Sequence, residues 1–457
     1  MDFRTLFALP AVLVLLAACS GGPTNPEQAK PRTLDQIKDS GKLVVLTRNA
    51  PTTWYIGRDG KPTGPEYEMV KAFADHLGVK PEFKRRGSLT AILDSLEKGE
   101  ADLAAAGLTA TDKRKQRFRF APSYQEVTQQ VVCRRDGARP ESVDDLVGLD
   151  LKVVADSSYT ERLRALKAAG HPDLRWQETS NLDTEALLRQ VWKRKIDCTV
   201  ADSTIVDINR RYFPELITPF NLSKDQPLAW ALPASSADLE EAIADWLGRF
   251  RSDGRLADLR EKYYGFFKMF DYVDTRVYIR RIDKRFPKFR TYFRRAAEKN
   301  DLPYTLIAAQ GYQESQWRAH AKSPTGVRGI MMLTRTTARA LGVTNRLDPR
   351  QSIFGGAKYL ARMKERFSDK VDEPDRTWLA LAAYNLGRAH LHDAQKLARE
   401  QSLNPHRWRS LKKVLPLLAK KQYYRHLKYG YARGTEPVRY VRRIRDYRLV
   451  LKNELKD

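Results

Sequence analysis

Pro303-Tyr304-Thr305-Leu306-Ile307-Ala308-Ala309-Gln310-Gly311-Tyr312-Gln313-Glu314-Ser315 reads as one helix that opens on a proline and buries an apolar face. Ile307, Gly311 and Glu314 follow one another at helical spacing, so a carboxylate ends that face. Either Glu314 snorkels or pairs with Arg318 one turn on, or it is held dry for chemistry. Helical periodicity continues on both sides of the segment, at 277–284 and 289–299 before it and at 335–341, 355–367, 378–388 and 411–426 after it. Gly342 and Gly387 stand where helix ends need them. No strand signal appears after Phe267, so residues 268–457 read as a mainly α domain.

Upstream the pattern changes. Short β-branched runs at 43–47, 102–106, 127–133, 151–154, 197–201 and 228–232 alternate with amphipathic stretches at 67–77, 159–169 and 239–250. That alternation argues for an α/β domain over 34–267, with helices on both faces of its sheets. Charge divides the chain at the same place. Residues 268–457 hold 43 Lys and Arg against 18 Asp and Glu, leaving 39 against 38 for residues 1–267. A basic domain fits nucleic acid, anionic lipid or an acidic polymer such as peptidoglycan, and charge alone does not choose among them.

The N-terminus narrows the choice. Arg4 is the one basic side chain of a short leader, and an apolar run over 6–18 ends in Leu16-Ala17-Ala18-Cys19. The run is too short to span a bilayer as a mature helix. It resembles a bacterial lipoprotein signal, which implies a signal peptide over 1–18, acylation of Cys19 and a flexible tether over 19–33. Ser20, where such lipoproteins carry Asp for inner-membrane retention, points to the periplasmic face of the outer membrane. An exported chain has no nucleic acid to meet. Cys133 and Cys198 each sit in an apolar strand-like run, and the expectation is two buried free thiols, not a bridge.

Gly107-Leu108-Thr109-Ala110-Thr111-Asp112-Lys113-Arg114, followed by Phe118-Arg119-Phe120-Ala121-Pro122-Ser123-Tyr124, resembles the extracellular solute-binding proteins that serve amino-acid transporters. The resemblance covers most of residues 40–266 and implies a two-lobed periplasmic solute-binding fold with a ligand between the lobes. By position, Arg114 would pair with a ligand carboxylate, supported by Thr109 and the Gly107 backbone. Ser157 and Ser158 would add hydrogen bonds, and Asp202 would take an α-amino group. Asp156 stands where the family often has glycine. Fused to a basic helical domain, such a module reads as a regulatory one that closes on an amino acid or a muropeptide.

Four spaced segments of the second domain resemble lytic transglycosylases, whose fold is goose-lysozyme-like. They are Glu314-Ser315, Ser323-Pro324-Thr325-Gly326-Val327-Arg328-Gly329-Ile330-Met331-Met332, Ala382-Ala383-Tyr384-Asn385, and Glu436-Pro437-Val438-Arg439-Tyr440-Val441. Met332 replaces the usual Gln, and Met331-Met332-Leu333-Thr334 fits the F-type subgroup, which also carries a solute-binding module. The resemblance implies cleavage of peptidoglycan glycan strands at the β-1,4 bond after N-acetylmuramic acid, giving 1,6-anhydro products without water. Glu314 would be the acid and then the base. Ser323 would bond near the N-acetyl group, and Tyr384 and Asn385 would hold Glu314 or substrate. Glu436 and Tyr440 would position the final helix.

Hydrolytic glycosidases use two carboxylates. Asp301 and Asp348 are the acids nearest Glu314 along the chain, and neither is within a helical turn of it. A water-using muramidase and a non-catalytic receptor that grips peptidoglycan are the competing readings. No Gly-rich nucleotide loop or metal-ligand spacing occurs, so no cofactor or metal is expected.

Overall fold

The computed structural model describes residues 30–57, 60–210, 212–264, 272–324 and 326–455. The leader, Cys19 and most of the 19–33 tether lie outside the described residues, as does the domain boundary at 267/268. Arg32, counted with the tether, donates Nε–H to Asp102 Oδ1 at 2.9 Å, and Thr33 and Gln36 form a capping box on the first helix.

In the first lobe the strand Lys42–Thr47, with Leu43, Val45 and Leu46 fully buried, runs parallel to Lys80–Arg85 on one side and to Leu103–Ala104 on the other. Ala231–Pro233 and Phe118–Phe120 complete this sheet of five strands. Parallel neighbours require crossovers, and helices Pro65–Leu77 and Leu89–Glu97 supply them. The second lobe is built on Gln125–Arg134, which pairs antiparallel with Cys198–Asp202, Leu216–Ile217 and Asn221–Leu228.

The run at 228–232 is not one strand. Asn221–Leu228 belongs to the second sheet and Ala231–Pro233 to the first, so the chain changes lobes across Ala229 and Trp230. An apolar run carries no mark of which sheet it joins, so the break was not legible.

The expectation of free thiols is corrected. Cys133 and Cys198 face each other across the antiparallel pair and are joined in a disulfide, with Cα atoms 4.4 Å apart. That separation belongs to the closer kind of antiparallel pair. Both runs were recognisable as strands, but their register was not.

Four helices position the second site. Helix α1 is Arg255–Tyr264, the last described element of the first domain; α2 is Tyr304–Ser315; α3 is Asp375–Leu386; and α4 is Thr435–Glu454. The core of the second domain takes Leu306, Ile307, Ala308 and Ala309 from α2, Leu379–Ala383 from α3, and Tyr440, Val441 and Ile444 from α4. Most of the anticipated helices are present, with ends moved by a few residues. The stretch 411–426 differs: Pro416 interrupts it, leaving Trp408–Val414, a 3-10 segment Leu415–Ala419 and a short helix Lys421–Tyr424. Arg388–Glu400 was not anticipated as a helix, although its buried Leu391, Ala394, Leu397 and Ala398 follow helical spacing, and the final helix, expected only from the resemblance, is α4.

The two domains meet through α1. Glu261 accepts from Arg445 Nη1 at 2.9 Å and pairs with Lys412, and Asp258 accepts from Arg409 Nε at 2.8 Å. Arg445 also donates Nη2–H to the Glu261 carbonyl at 2.7 Å and lies 4.9 Å from the centre of the Trp378 ring.

Candidate active site

Glu314 stands at the end of α2, half-buried among α3, α4 and residues 326–334. Tyr440, from α4, donates its hydroxyl to Glu314 Oε1 at 2.5 Å. Burial pushes the Glu314 carboxyl up to about 7, against a smaller opposing effect of the Tyr440 hydrogen bond. No charged side chain among the described residues shifts it. The ion pair with Arg318 is not formed, since Arg318 Nε donates to the Ser315 carbonyl at 3.1 Å. Asp348 caps the helix Pro349–Glu365 by accepting from Gln351 N–H, and Asp301 is exposed. Neither takes up a partner role.

Residues 326–334 are clamped against this site by close backbone approaches. A Cβ on Gly329, whose φ is 84°, would lie 1.8 Å from the Arg346 carbonyl oxygen. One on Gly311 would lie 2.9 Å from Phe293 Cζ and 3.2 Å from Met331 Sδ. Glycine on the Ile307–Glu314 face therefore lets Met331 reach α2. Ser323 Oγ accepts from Val327 N–H at 3.3 Å.

The structure distributes the other sequence-derived residues unevenly. Tyr440 is in direct contact with Glu314. Tyr384 is near enough for Glu314 to raise its proton affinity further, after burial, yet its hydroxyl donates to the Met331 carbonyl at 2.9 Å instead of to Glu314. Asn385 is exposed on α3. Glu436 is exposed in the first turn of α4, 3.5 Å from Arg433. Gln310 was not singled out from the sequence. It is fully buried and donates Nε2–H to the Tyr440 hydroxyl at 3.1 Å. A buried amide one turn before a buried acid was the signal that could have found it.

In the first domain the lobes are drawn together. Thr109 Oγ1 donates to Ser158 Oγ at 3.2 Å, and Thr90 Oγ1 bonds Asp156 Oδ2 at 2.5 Å. Arg114 is spent on the protein itself: Nη1 donates to the Thr109 carbonyl, Nη2 to the Asp156 carbonyl, and Nε lies 3.1 Å from Glu161 Oε1. Ser157 is a helix cap, accepting from Thr160 N–H and donating to the Val154 carbonyl. Neither is arranged as the ligand group that the sequence suggested.

Asp202 is buried, its Oδ1 has no partner, and burial, opposed by Arg48, Tyr159 and Arg114, pushes its carboxyl up to about 6. Arg48 was not anticipated. Burial opposes its charge, but Glu185, Tyr159, Asp202 and Glu66 together raise its proton affinity. Its Nε and both Glu185 carboxylate oxygens are buried without partners. Arg48 follows a strand directly, where sequence alone reads it as an ordinary strand-end residue.

Two family descriptions match the chain: bacterial extracellular solute-binding proteins, family 3, over residues 42–266, and the transglycosylase SLT domain over residues 291–406. The chain is 46% identical to membrane-bound lytic murein transglycosylase F 2 of Alkalilimnicola ehrlichii, over 98% of this chain and 99% of that protein. It is 44% identical to membrane-bound lytic murein transglycosylase F of Pseudomonas fluorescens, over 92% of this chain and 86% of the other. An ancestral arginine-binding protein bound to arginine overlays with a TM-score of 0.45 at 24% identity, spanning 49% of this chain and 98% of its own.

Proposed function

The chain belongs to the family of membrane-bound lytic murein transglycosylases F, and from that premise we propose that Glu314 alone performs both proton transfers of its reaction. It is a lyase of peptidoglycan with a solute-binding-like N-terminal module. The observation that carries the assignment is the half-buried Glu314 carboxyl, raised to about 7 and touched by the Tyr440 hydroxyl, with no second carboxylate among the described residues acting on it.

Protonated Glu314 gives its proton to the glycosidic oxygen as the bond from C1 of the N-acetylmuramyl residue breaks. Positive charge develops at C1, where the substrate's own N-acetyl oxygen can share it. The Glu314 carboxylate then takes the proton of the C6 hydroxyl, and O6 closes on C1. Protons balance, no water enters, and the product carries a 1,6-anhydro end. Tyr440 holds the carboxylate, Ser323 would bond near the N-acetyl group, Tyr384 keeps the Met331 carbonyl in place, and the exposed Asn385 and Glu436 would support the bound strand from α3 and α4.

Digestion of sacculi by the full chain, followed by mass spectrometry, should give anhydro ends with the wild type and at least about a hundredfold less product with Glu314→Gln. Reducing ends would replace the lyase step by hydrolysis. Undiminished product from Glu314→Gln would remove Glu314 from catalysis.

We further propose a domain division at 34–267 and 268–457, a signal peptide over 1–18, and a lipid anchor at Cys19 that holds the chain on the periplasmic face of the outer membrane. No helix among the described residues is long and apolar enough to cross a membrane, which is compatible with an anchor. Cys19→Ser should release the chain into the soluble periplasmic fraction, and retention in the outer membrane would overturn the anchor. The first module is proposed to bind an amino acid or a muropeptide between its lobes, with Arg48 for a carboxylate and Asp202 and Glu185 for amino groups. Their partnerless buried atoms support this reading.

A further inference from the structure

Gln310 and Glu314 lie one turn apart on α2, and Tyr440 spans them. The Gln310 amide is fully buried, with Nε2 donating to the Tyr440 hydroxyl, while its Oε1 is buried without a partner. A buried amide with one half unpaired costs free energy and calls for an explanation, of which a role in catalysis is one. The hydroxyl it meets has one proton to give and can accept at its oxygen.

As the side chains stand, the Tyr440 proton points at Glu314 Oε1 and the Gln310 N–H fills the Tyr440 oxygen. This suits the ionised carboxylate. When Glu314 carries a proton, that O–H can donate to Tyr440, whose own proton must then turn elsewhere. A half-turn of the Gln310 amide about its last torsion puts Oε1 where Nε2 stood, with almost no change of shape, and Oε1 accepts that proton.

We propose that Gln310 is a positioning residue that turns its amide end for end, keeping the Tyr440 hydroxyl seated on Glu314 both when Glu314 is the acid and when it is the base. The inference rests on the reading of Glu314 as the residue that transfers protons. In the acid state the chain of donors runs Glu314 O–H to Tyr440 O–H to the Gln310 carbonyl. In the base state it runs Gln310 N–H to Tyr440 O–H to the Glu314 carboxylate. The one proton that differs is the Glu314 proton, which leaves Tyr440 for the glycosidic oxygen as the Gln310 amide turns back and Tyr440 donates to the new carboxylate. Tyr440 from α4 and Tyr384 from α3 are the titratable groups that face Glu314, and Tyr384 is occupied by the Met331 carbonyl.

The test uses the full chain and sacculi. Gln310→Met preserves length and removes both ends of the amide. Its kcat should fall about tenfold at unchanged KM, the cost of one hydrogen bond to a charged group. The alkaline limb of its pH profile should move to higher pH, because Tyr440 is no longer held as a donor to the ionised form. Combined with Tyr440→Phe, Gln310→Met should cost nothing more, since it acts through that hydroxyl. A kcat and pH profile like the wild type, or losses that simply add, would overturn the proposal.

Should Gln310→Met not fold, nitrogen-resolved NMR of the wild-type chain decides. The Gln310 side-chain amide signal should titrate together with Glu314, and an amide insensitive to pH sinks the inference. Glu314→Gln is the separate control: activity retained there defeats the reading of Glu314 itself, whatever Gln310 does.

Discussion

Glu314 keeps its proton to about pH 7 in the folded chain, against about 4.3 for a free glutamate side chain. Between those values the folded state holds one more proton there than the unfolded state, so this contribution to stability falls as pH rises through the window. Its size is at most about 4 kcal/mol, and catalysis depends on the same shift. Glu314→Gln should therefore melt higher than the wild type at pH 8 and nearly together with it at pH 4.5, in thermal unfolding followed by circular dichroism. The wild-type kcat/KM should decline above about pH 7 as the acid is lost. Glu314 was legible because a carboxylate interrupts an apolar helix face, a purely local conflict. Arg48 and Gln310 were not, because what makes them unusual is what faces them from distant parts of the chain. Cys133 and Cys198 failed for the same reason: each lies in a recognisable strand, and only register makes them opposite.

Residues 326–334 show how a stretch outside the helices is tied down by backbone contacts. Gly329 approaches the Arg346 carbonyl too closely for any side chain, Met331 N–H donates to Ser352 Oγ at 3.1 Å, and Arg346 Nη1 donates to the Gly326 and Leu333 carbonyls at 2.9 Å each. Gly329→Ala has to move that backbone or unseat the segment. A loss of about 2–4 kcal/mol is expected in urea unfolding, with activity lost even where the protein remains folded, because Met331 and its contact to Tyr384 move with it. An unchanged midpoint would show that the segment yields without cost. Regular helices were largely legible from periodicity, as at Arg335–Leu341, whose C-terminal end Gly342 announces. The clamped segment was visible only as a motif, since backbone approach leaves no periodic trace.

At the scale of the molecule, the first domain presents a closed pair of lobes whose facing carboxylates and Arg48 are not satisfied by one another. Buried charged groups left unpaired are costly, and a zwitterion that pairs with both signs would relieve them. Isothermal titration of the full chain with amino acids and muropeptides should give saturable binding that Asp202→Asn weakens by about tenfold or more. No heat with any member of the set would remove the ligand from the proposal. The division into an α/β and an α domain was legible from composition and periodicity. Their docking was not, because Glu261, Lys412 and Arg445 read singly as surface charges.

Helix α4 carries Tyr440 to Glu314 and, five residues on, Arg445 to the Glu261 carboxylate and backbone. Five residues make about 7.5 Å of rise and put the two side chains on different sides of a single rigid rod. Arg445 therefore acts as a bearing for the axle that carries the Tyr440 hydroxyl. That hydroxyl stands several ångströms from the axis, so a roll of about 10° sweeps it through roughly 1 Å, a displacement that can cost a reaction about a hundredfold in rate. The angular tolerance of the catalytic contact is thus set partly by a socket that belongs to the other domain.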